Sequence, residues 1–412
     1  MSPTTFDSNY RGEFPGLARM WKGRRVAFFD GPAGSQVPKS VADAMAHCLT
    51  FCNANDGGTF ESSREVSALA VQARHAVADL LHVDEPDTVV LGPNMTSLTF
   101  ALSRSLARTW KPGDEVIVTR MDHDANIRPW LLAADEVGVK VRWVEVTSDC
   151  RLRMDMFSEL LSERTKLVAV GLASNAVGTI NPIAEIAAAA HRVGALMFVD
   201  AVHAVPHRLV DVQQLAADFL VCSAYKFFGP HQGILWGRRE LLEKLPAYKV
   251  RPAPNSLPGK WMTGTPSFEA MAGTQAAIAY LERLGSGDDR RHRLAAAYQF
   301  IANHERQLAK RFLAGMASLS DWKVWGITDP GQLDQRVATF GLTSNRLTPQ
   351  HAAERLAEQG ICVWAGHFYA IELIEALGLA PHGLLRIGFL HYNSADEVDR
   401  LLEALRDINR NS

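Results

Sequence analysis

Between about residues 85 and 240, short apolar runs alternate with longer helical patterns, and this alternation constrains the fold more than any other feature of the chain. The runs "TVVLG", "DEVIVT", "KLVAVGLAS", "ALMFVDA" and "DFLVCS" are rich in Val, Leu and Ala and lack apolar/polar alternation. Strands covered on both faces read this way, and they are mostly parallel because their crossover helices lie on the sheet. "SLTFALSRSLART" and "PIAEIAAAAHRVG" supply such crossovers, the second opening with Pro182 and closing at Gly194. The expectation is an α/β domain.

After about residue 265 the rhythm changes. One long helical region is expected from Glu269 to about Met316, and a smaller α+β domain begins near there. Its clearest helix has Thr348 as N-cap, Pro349 as first residue and Gly360 as stop, and leads into "ICVW". "LLRIGFL" follows, then a final amphipathic helix whose Ser394 and Glu397 form a capping box. A chain of 412 residues with 47% hydrophobic content buries two such cores.

Lys plus Arg total 43 against 45 for Asp plus Glu, a balance that gives no sign of a nucleic-acid or anionic-membrane surface. Any charged ligand is met by a few placed residues. The five cysteines are scattered and odd in number, which fits a reducing compartment. No signal-peptide core, long apolar span, repeat or low-complexity tract is visible, so a cytoplasmic protein without a membrane partner is expected.

Chemically useful residues follow four of the apolar runs: His123, Asn175, Asp200, and Ser223 with Lys226. In open α/β sheets ligands bind outside the carboxyl ends of the strands, so these segments converge on one place. A metal fits poorly, because Lys is a weak ligand and Pro206 between His203 and His207 argues against one helical face. Singly, each residue has a structural alternative: a carboxylate that caps, a satisfied histidine, a lysine that snorkels. Together they suit pyridoxal phosphate. A lysine forms the Schiff base, a carboxylate keeps the pyridine nitrogen protonated, and an aromatic ring covers the cofactor face.

"DHDANIRPW", "SNAVGTINPI", "VDAVHAVPH" and "CSAYKFFGP" occur in an order and spacing that resemble the class V aminotransferase family of fold-type I pyridoxal phosphate enzymes. Within it the chain is most similar to group II cysteine desulfurase-like proteins, over nearly its whole length. The resemblance implies a large domain with a mostly parallel mixed sheet (21–284), a small C-terminal α+β domain (285–412) and an N-terminal segment (1–20) packing on the latter. It implies that Lys226 carries the Schiff base, Asp200 pairs with the pyridinium nitrogen and His123 stacks on the ring. His203 and Asn175 would lie near the phenolic oxygen, Asn175 alternatively at the substrate carboxylate. The phosphate would be held by Ser223, Asn94, the Met95 backbone, Thr96 and the Tyr225 hydroxyl. Thr274 of a partner subunit would join them in a homodimer with a shared site.

Arg386 interrupts an apolar strand and is the candidate for gripping a substrate α-carboxylate; pairing with an internal Asp or Glu is the alternative. The departure from the family lies in "GICVWAGHFYA". Group II desulfurases carry Arg-x-Gly-His-x-Cys here, whereas this chain has Trp364 for the Arg and Tyr369 for the Cys, with Gly366 and His367 retained. A phenol forms no persulfide, and Cys362 reads as a core thiol. The expectation is therefore a lyase that β-eliminates from an α-amino acid through an external aldimine and is not a persulfide-forming desulfurase. Tyr369 and His367 are candidates for acid help, Tyr369 alternatively a packing wall, and Trp364 for an apolar substrate wall. A class V aminotransferase or amino-acid epimerase is the alternative, and an inactive homologue acting as an interaction protein the second.

Overall fold

The apolar runs form the centre of one mixed sheet. The computed structural model describes residues 8–410, so residues 1–7 of the expected N-terminal segment lie outside the described residues. The strands are β1 Val89–Gly92, β2 Glu115–Thr119, β3 Lys140–Val144, β4 Thr165–Gly171, β5 Leu196–Asp200, β6 Phe219–Ser223 and β7 Gly233–Gly237. Their order is β1-β7-β6-β5-β4-β2-β3, with β7 antiparallel to both neighbours and every other pair parallel. Every residue of β2 and β6 is buried, which is why neither alternates in sequence. At the edge, β3 alternates in exposure.

The chain directions set β1, β2, β4, β5 and β6 with their carboxyl ends on one edge. The helix Met95–Ala107 also begins there, capped by Asn94, whose side-chain oxygen accepts from the Ser97 N–H at 2.8 Å.

The long helical region expected from Glu269 is two helices, Phe268–Arg283 and Arg290–Met316. The break contains Gly285 and Gly287, and Asp289 caps the second helix by accepting from the His292 N–H at 2.9 Å. Beyond it a second sheet forms from β8 Trp322–Trp325, β9 Thr339–Ser344, β10 Trp364–Gly366 and β11 Leu384–Gly388, in the order β8-β9-β11-β10 and antiparallel throughout. Thr348 caps the helix Pro349–Ala357. The capping box forms: the Ser394 hydroxyl accepts from the Glu397 N–H at 3.2 Å, and the Glu397 carboxylate accepts from the Ser394 N–H at 3.0 Å. This sheet carries Trp364 and Arg386 to the edge where the first sheet's strands end. Among the described residues no helix is long and apolar enough to cross a membrane, and no group of three His, Cys, Asp or Glu side chains is placed to hold a metal ion.

Candidate active site

One cavity of about 350 Å³ lies at the carboxyl edge, and Lys226, Asp200, His203, His123, Asn175, Tyr225, Met95, Thr96, Trp364, Tyr369 and Arg386 all line it. β6 delivers Lys226 through a single 3-10 turn, Ala224–Lys226. Its ammonium donates to the carbonyls of Pro32 and Ala33. Burial lowers its pKa to about 7, helped by repulsion from Arg386 and opposed by Asp200. Asp200 ends β5; burial raises it to about 6, and one of its oxygens accepts from the Val202 N–H at 2.9 Å.

Burial keeps His123 neutral, lowering it to about 4. Its Nδ1 accepts from the Ala125 N–H at 3.0 Å, which fixes the ring plane. One face of that ring is covered by Tyr369, stacked at 5.3 Å and 29°. His203 faces Thr339 through Nε2 at 2.9 Å, and its buried Nδ1 has no partner. Asn175 donates from its amide to the Phe368 carbonyl at 2.9 Å, leaving its buried Oδ1 unpartnered.

Arg386 is 5% exposed in β11. Its guanidinium donates to the Asn175 carbonyl at 3.0 Å, lies 4.1 Å above the Phe368 ring and has no ion pair among the described residues. Burial lowers its pKa to about 9. The buried Asp30 carboxylate is near enough to act as its counter-charge but forms no hydrogen bond or ion pair with it, so the fork itself faces the cavity without a bonded carboxylate.

The loop from Gly366 to Ala370 is held in a strained form. Phe368 and Tyr369 have φ of +52° and +59°, which side-chain-bearing residues adopt only when their surroundings impose it. The Asp124 N–H donates to the Tyr369 carbonyl at 2.7 Å, and the Tyr369 N–H donates to His367 Nδ1 at 3.0 Å. His367 therefore supports the loop and is not among the cavity-lining residues.

Three further candidates have hydrogen-bond partners within the chain and are not among the cavity-lining residues. Asn94 spends its side chain on the helix cap, outside the cavity. The Ser223 hydroxyl accepts from the Met95 N–H at 3.3 Å, behind the cavity wall. Thr274 is fully buried in the single chain, and its hydroxyl donates to Gln232 at 2.7 Å. Sequence reasoning missed Asp122. This buried carboxylate accepts from Asn126 at 3.0 Å and from Thr119 and the Gly171 N–H, tying the end of β2 to the end of β4, and burial raises it to about 7.

The residues fit pyridoxal phosphate. A half-neutral buried amine, a buried carboxylate with a free oxygen, and unpartnered polar atoms on His203 and Asn175 need a polar group among them. The start of the helix Met95–Ala107 offers amides for a phosphate.

The chain matches the family described as aminotransferase class-V over residues 27–401. It is 32% identical to a probable cysteine desulfurase of Streptomyces coelicolor, covering 97% of this chain and 96% of that protein. It is also 32% identical to an aminotransferase-like protein of Gibberella zeae, covering 98% and 99% of the two. Among solved structures it is similar to the apo cysteine desulfurase of Thermococcus onnurineus, with TM-score 0.90, 25% identity and complete coverage of both chains. The expectation of a β-eliminating lyase set apart from the desulfurases is overturned by these relatives. It rested on one short segment, with Trp364 and Tyr369 in place of the family's Arg and Cys and Cys362 read as a core thiol, whereas the likeness to desulfurases spans nearly the whole chain. With its fold, its match and these relatives, the chain belongs to the class V aminotransferase family, fold-type I pyridoxal phosphate enzymes close to the cysteine desulfurases.

Proposed function

We propose that this protein binds pyridoxal phosphate at Lys226 and works at the α-carbon of a cysteine-like α-amino acid, as an enzyme of the desulfurase branch. The observation that carries this is the meeting of Lys226, Asp200, His123 and the unpaired Arg386 in one cavity. The cofactor, when bound, supplies an electron sink for charge developing at the α-carbon. Asp200, mostly ionised at neutral pH, would accept from the pyridinium N–H. Lys226, half neutral near pH 7, has the basicity to move the α-proton. Arg386 would grip the α-carboxylate bidentately, its plane held by the Phe368 ring and the Asn175 carbonyl.

Among the described residues no cysteine lines the cavity, so sulfur taken from the substrate would leave on a thiol brought from outside. The same observation, with the aminotransferase-like relative, favours amino transfer as the second reading. All five cysteines are free thiols, which supports a reducing, cytoplasmic setting. A homodimer is inferred from the relatives and from the exposed Leu49, Phe51 and Phe60.

L-cysteine supplied with dithiothreitol and pyridoxal phosphate tests the reading. Alanine and sulfide in equal amounts support desulfuration. Keto acid formed only with an added amino acceptor supports amino transfer. Pyruvate and ammonia without an acceptor, or no turnover of any α-amino acid, would overturn both.

A further inference from the structure

A second cavity of about 430 Å³ lies between the loop after β5, the helix Arg290–Met316 and the segment leading into β9. It shares no wall residue with the active cavity. On its wall His207 Nδ1 and Glu305 Oε2 are hydrogen-bonded at 2.7 Å. The two residues are 3% and 4% exposed, and Glu305 Oε1 and His207 Nε2 are both buried without a partner. Which of His207 and Glu305 donates in that bond depends on the tautomer of His207 and on the Glu305 carboxyl, whose pKa burial raises; in the tautomer with hydrogen on Nδ1, Nε2 is an acceptor. Two buried polar atoms on one wall therefore lack a partner, a costly arrangement for a folded chain to keep empty-handed.

The same cavity is lined by Arg208 and Arg306, both exposed, whose guanidiniums have no hydrogen-bond or ion-pair partner among the described residues. Arg336, also on the wall, is spent on backbone carbonyls, those of Ile327, Val177 and Thr339 among them. Asp334 is the remaining carboxylate on the wall. Between the acidic and basic groups the lining is aliphatic, with Ile180, Leu209, Leu333 and Val337.

We propose that this cavity is a second binding site, for a free aliphatic α-amino acid, whose ammonium meets Glu305 and His207 and whose carboxylate meets Arg208 and Arg306. An ammonium supplies donors to Glu305 Oε1 and, in the tautomer with hydrogen on Nδ1, to His207 Nε2, and a carboxylate supplies what two unpaired guanidiniums at an open rim select. The volume is that of ordinary small-molecule pockets. The site adjoins the active cavity through the contact between the His203 and His207 rings, 5.2 Å apart at 67°. Val337 and Ala338 on its wall lead directly into Thr339, the hydrogen-bond partner of His203. The two cavities are thus separated by the His203–His207 contact and the Thr339 hydrogen bond.

The test is calorimetric titration of L-leucine into the full-length protein carrying Arg386→Ala, which removes the carboxylate grip of the active cavity, after borohydride reduction, which locks any imine on Lys226 against exchange. The expected result is one L-leucine per chain. Glu305→Gln and Arg306→Ala should each weaken binding at least tenfold. L-leucine methyl ester and 4-methyl-2-oxopentanoate, each lacking one charged end, should bind at least tenfold less well. Arg306 is exposed, so its replacement keeps the test valid even where the buried Glu305→Gln fails to fold. No binding at millimolar L-leucine, as for a cavity filled only by water, would overturn the proposal, as would binding indifferent to both substitutions. The readout does not depend on turnover, so failure of the functional reading leaves it intact.

Discussion

An ammonium 8% exposed at the end of a fully buried strand is held there by little direct compensation. Lys226 has two backbone carbonyls to donate to and Asp200 for a counter-charge, while Arg386 repels it. Burial wins, and the neutral form becomes accessible near pH 7. A depressed lysine pKa means that the reactive amine grows as pH rises toward that value and then levels. Labelling of the apoprotein by a small amine-reactive reagent should show a Lys226 phase that climbs through about pH 7, while surface lysines climb toward about pH 10.4. Lys226→Ala should remove that phase, and Asp200→Asn should move its midpoint lower. A Lys226 profile indistinguishable from the surface lysines would refute the electrostatic account. Lys226, Asp200 and Arg386 were legible in sequence because each places a charge where an apolar strand offers no solvent. Asp122 was not, since its role depends on the Gly171 N–H, 49 positions away. The Thr274 partner was not legible for the same reason: nothing local in "AMAGTQAAI" tells which face of the helix meets Gln232.

Elements were read where an apolar run is long and rich in branched residues, and missed where exposure alternates or glycines bracket a short run. The five apolar runs became strands, whereas the alternating edge strand β3 and the antiparallel β7 went unnamed. The turn signal "LGSGDD" was present in the supposed long helix, and its glycines and Asp289 do break and restart it. The substrate-side loop was legible in composition and not in conformation, because its shape is imposed from outside. Gly383 shows how tightly: its φ is +70°, and a Cβ there would lie 2.2 Å from the Gly366 carbonyl oxygen. Gly378, at φ +69°, has nothing within 4 Å of such a Cβ. Gly378→Ala should therefore cost only the backbone strain, roughly 1 kcal/mol. Gly383→Ala carries the same strain and in addition pushes the loop from beneath Phe368 and Tyr369. Its turnover should fall at least tenfold against the Gly378→Ala protein, measured on whichever amino acid the wild type accepts. Equal activity in the two variants would show that the loop's position does not matter to the chemistry.

At the scale of the whole chain, what joins the two sheets is an aromatic cluster that no local pattern announces. Phe14 meets Tyr280 and Tyr392 edge-on at 5.2 Å each and Phe228 at 5.9 Å. Tyr280 in turn shares a hydrogen with His391 Nε2 at 2.6 Å. The N-terminal segment, the turn after Lys226, the helix Phe268–Arg283 and the loop before the last helix are thereby packed together. Arg11 reinforces this by a paired contact with Glu397, at 2.7 and 3.2 Å, at the start of that helix. The sequence shows five separate aromatic or imidazole residues; only the tertiary contact makes them one core. Phe14 is 1% exposed and has partners from three distant segments, so its removal leaves a cavity that no single element can relax to fill. Phe14→Ala should lower unfolding free energy by about 3–5 kcal/mol, read as a reduced denaturant midpoint with an unchanged slope. Phe14→Leu, which keeps most of the volume, should lose less than half of that. Because Phe228 lies two residues from Lys226, the Ala variant should also blunt the separation between Lys226 and the surface lysines in the labelling profile. A loss below about 1 kcal/mol, the size expected of a surface change, would show that the N-terminal segment merely rests on the protein.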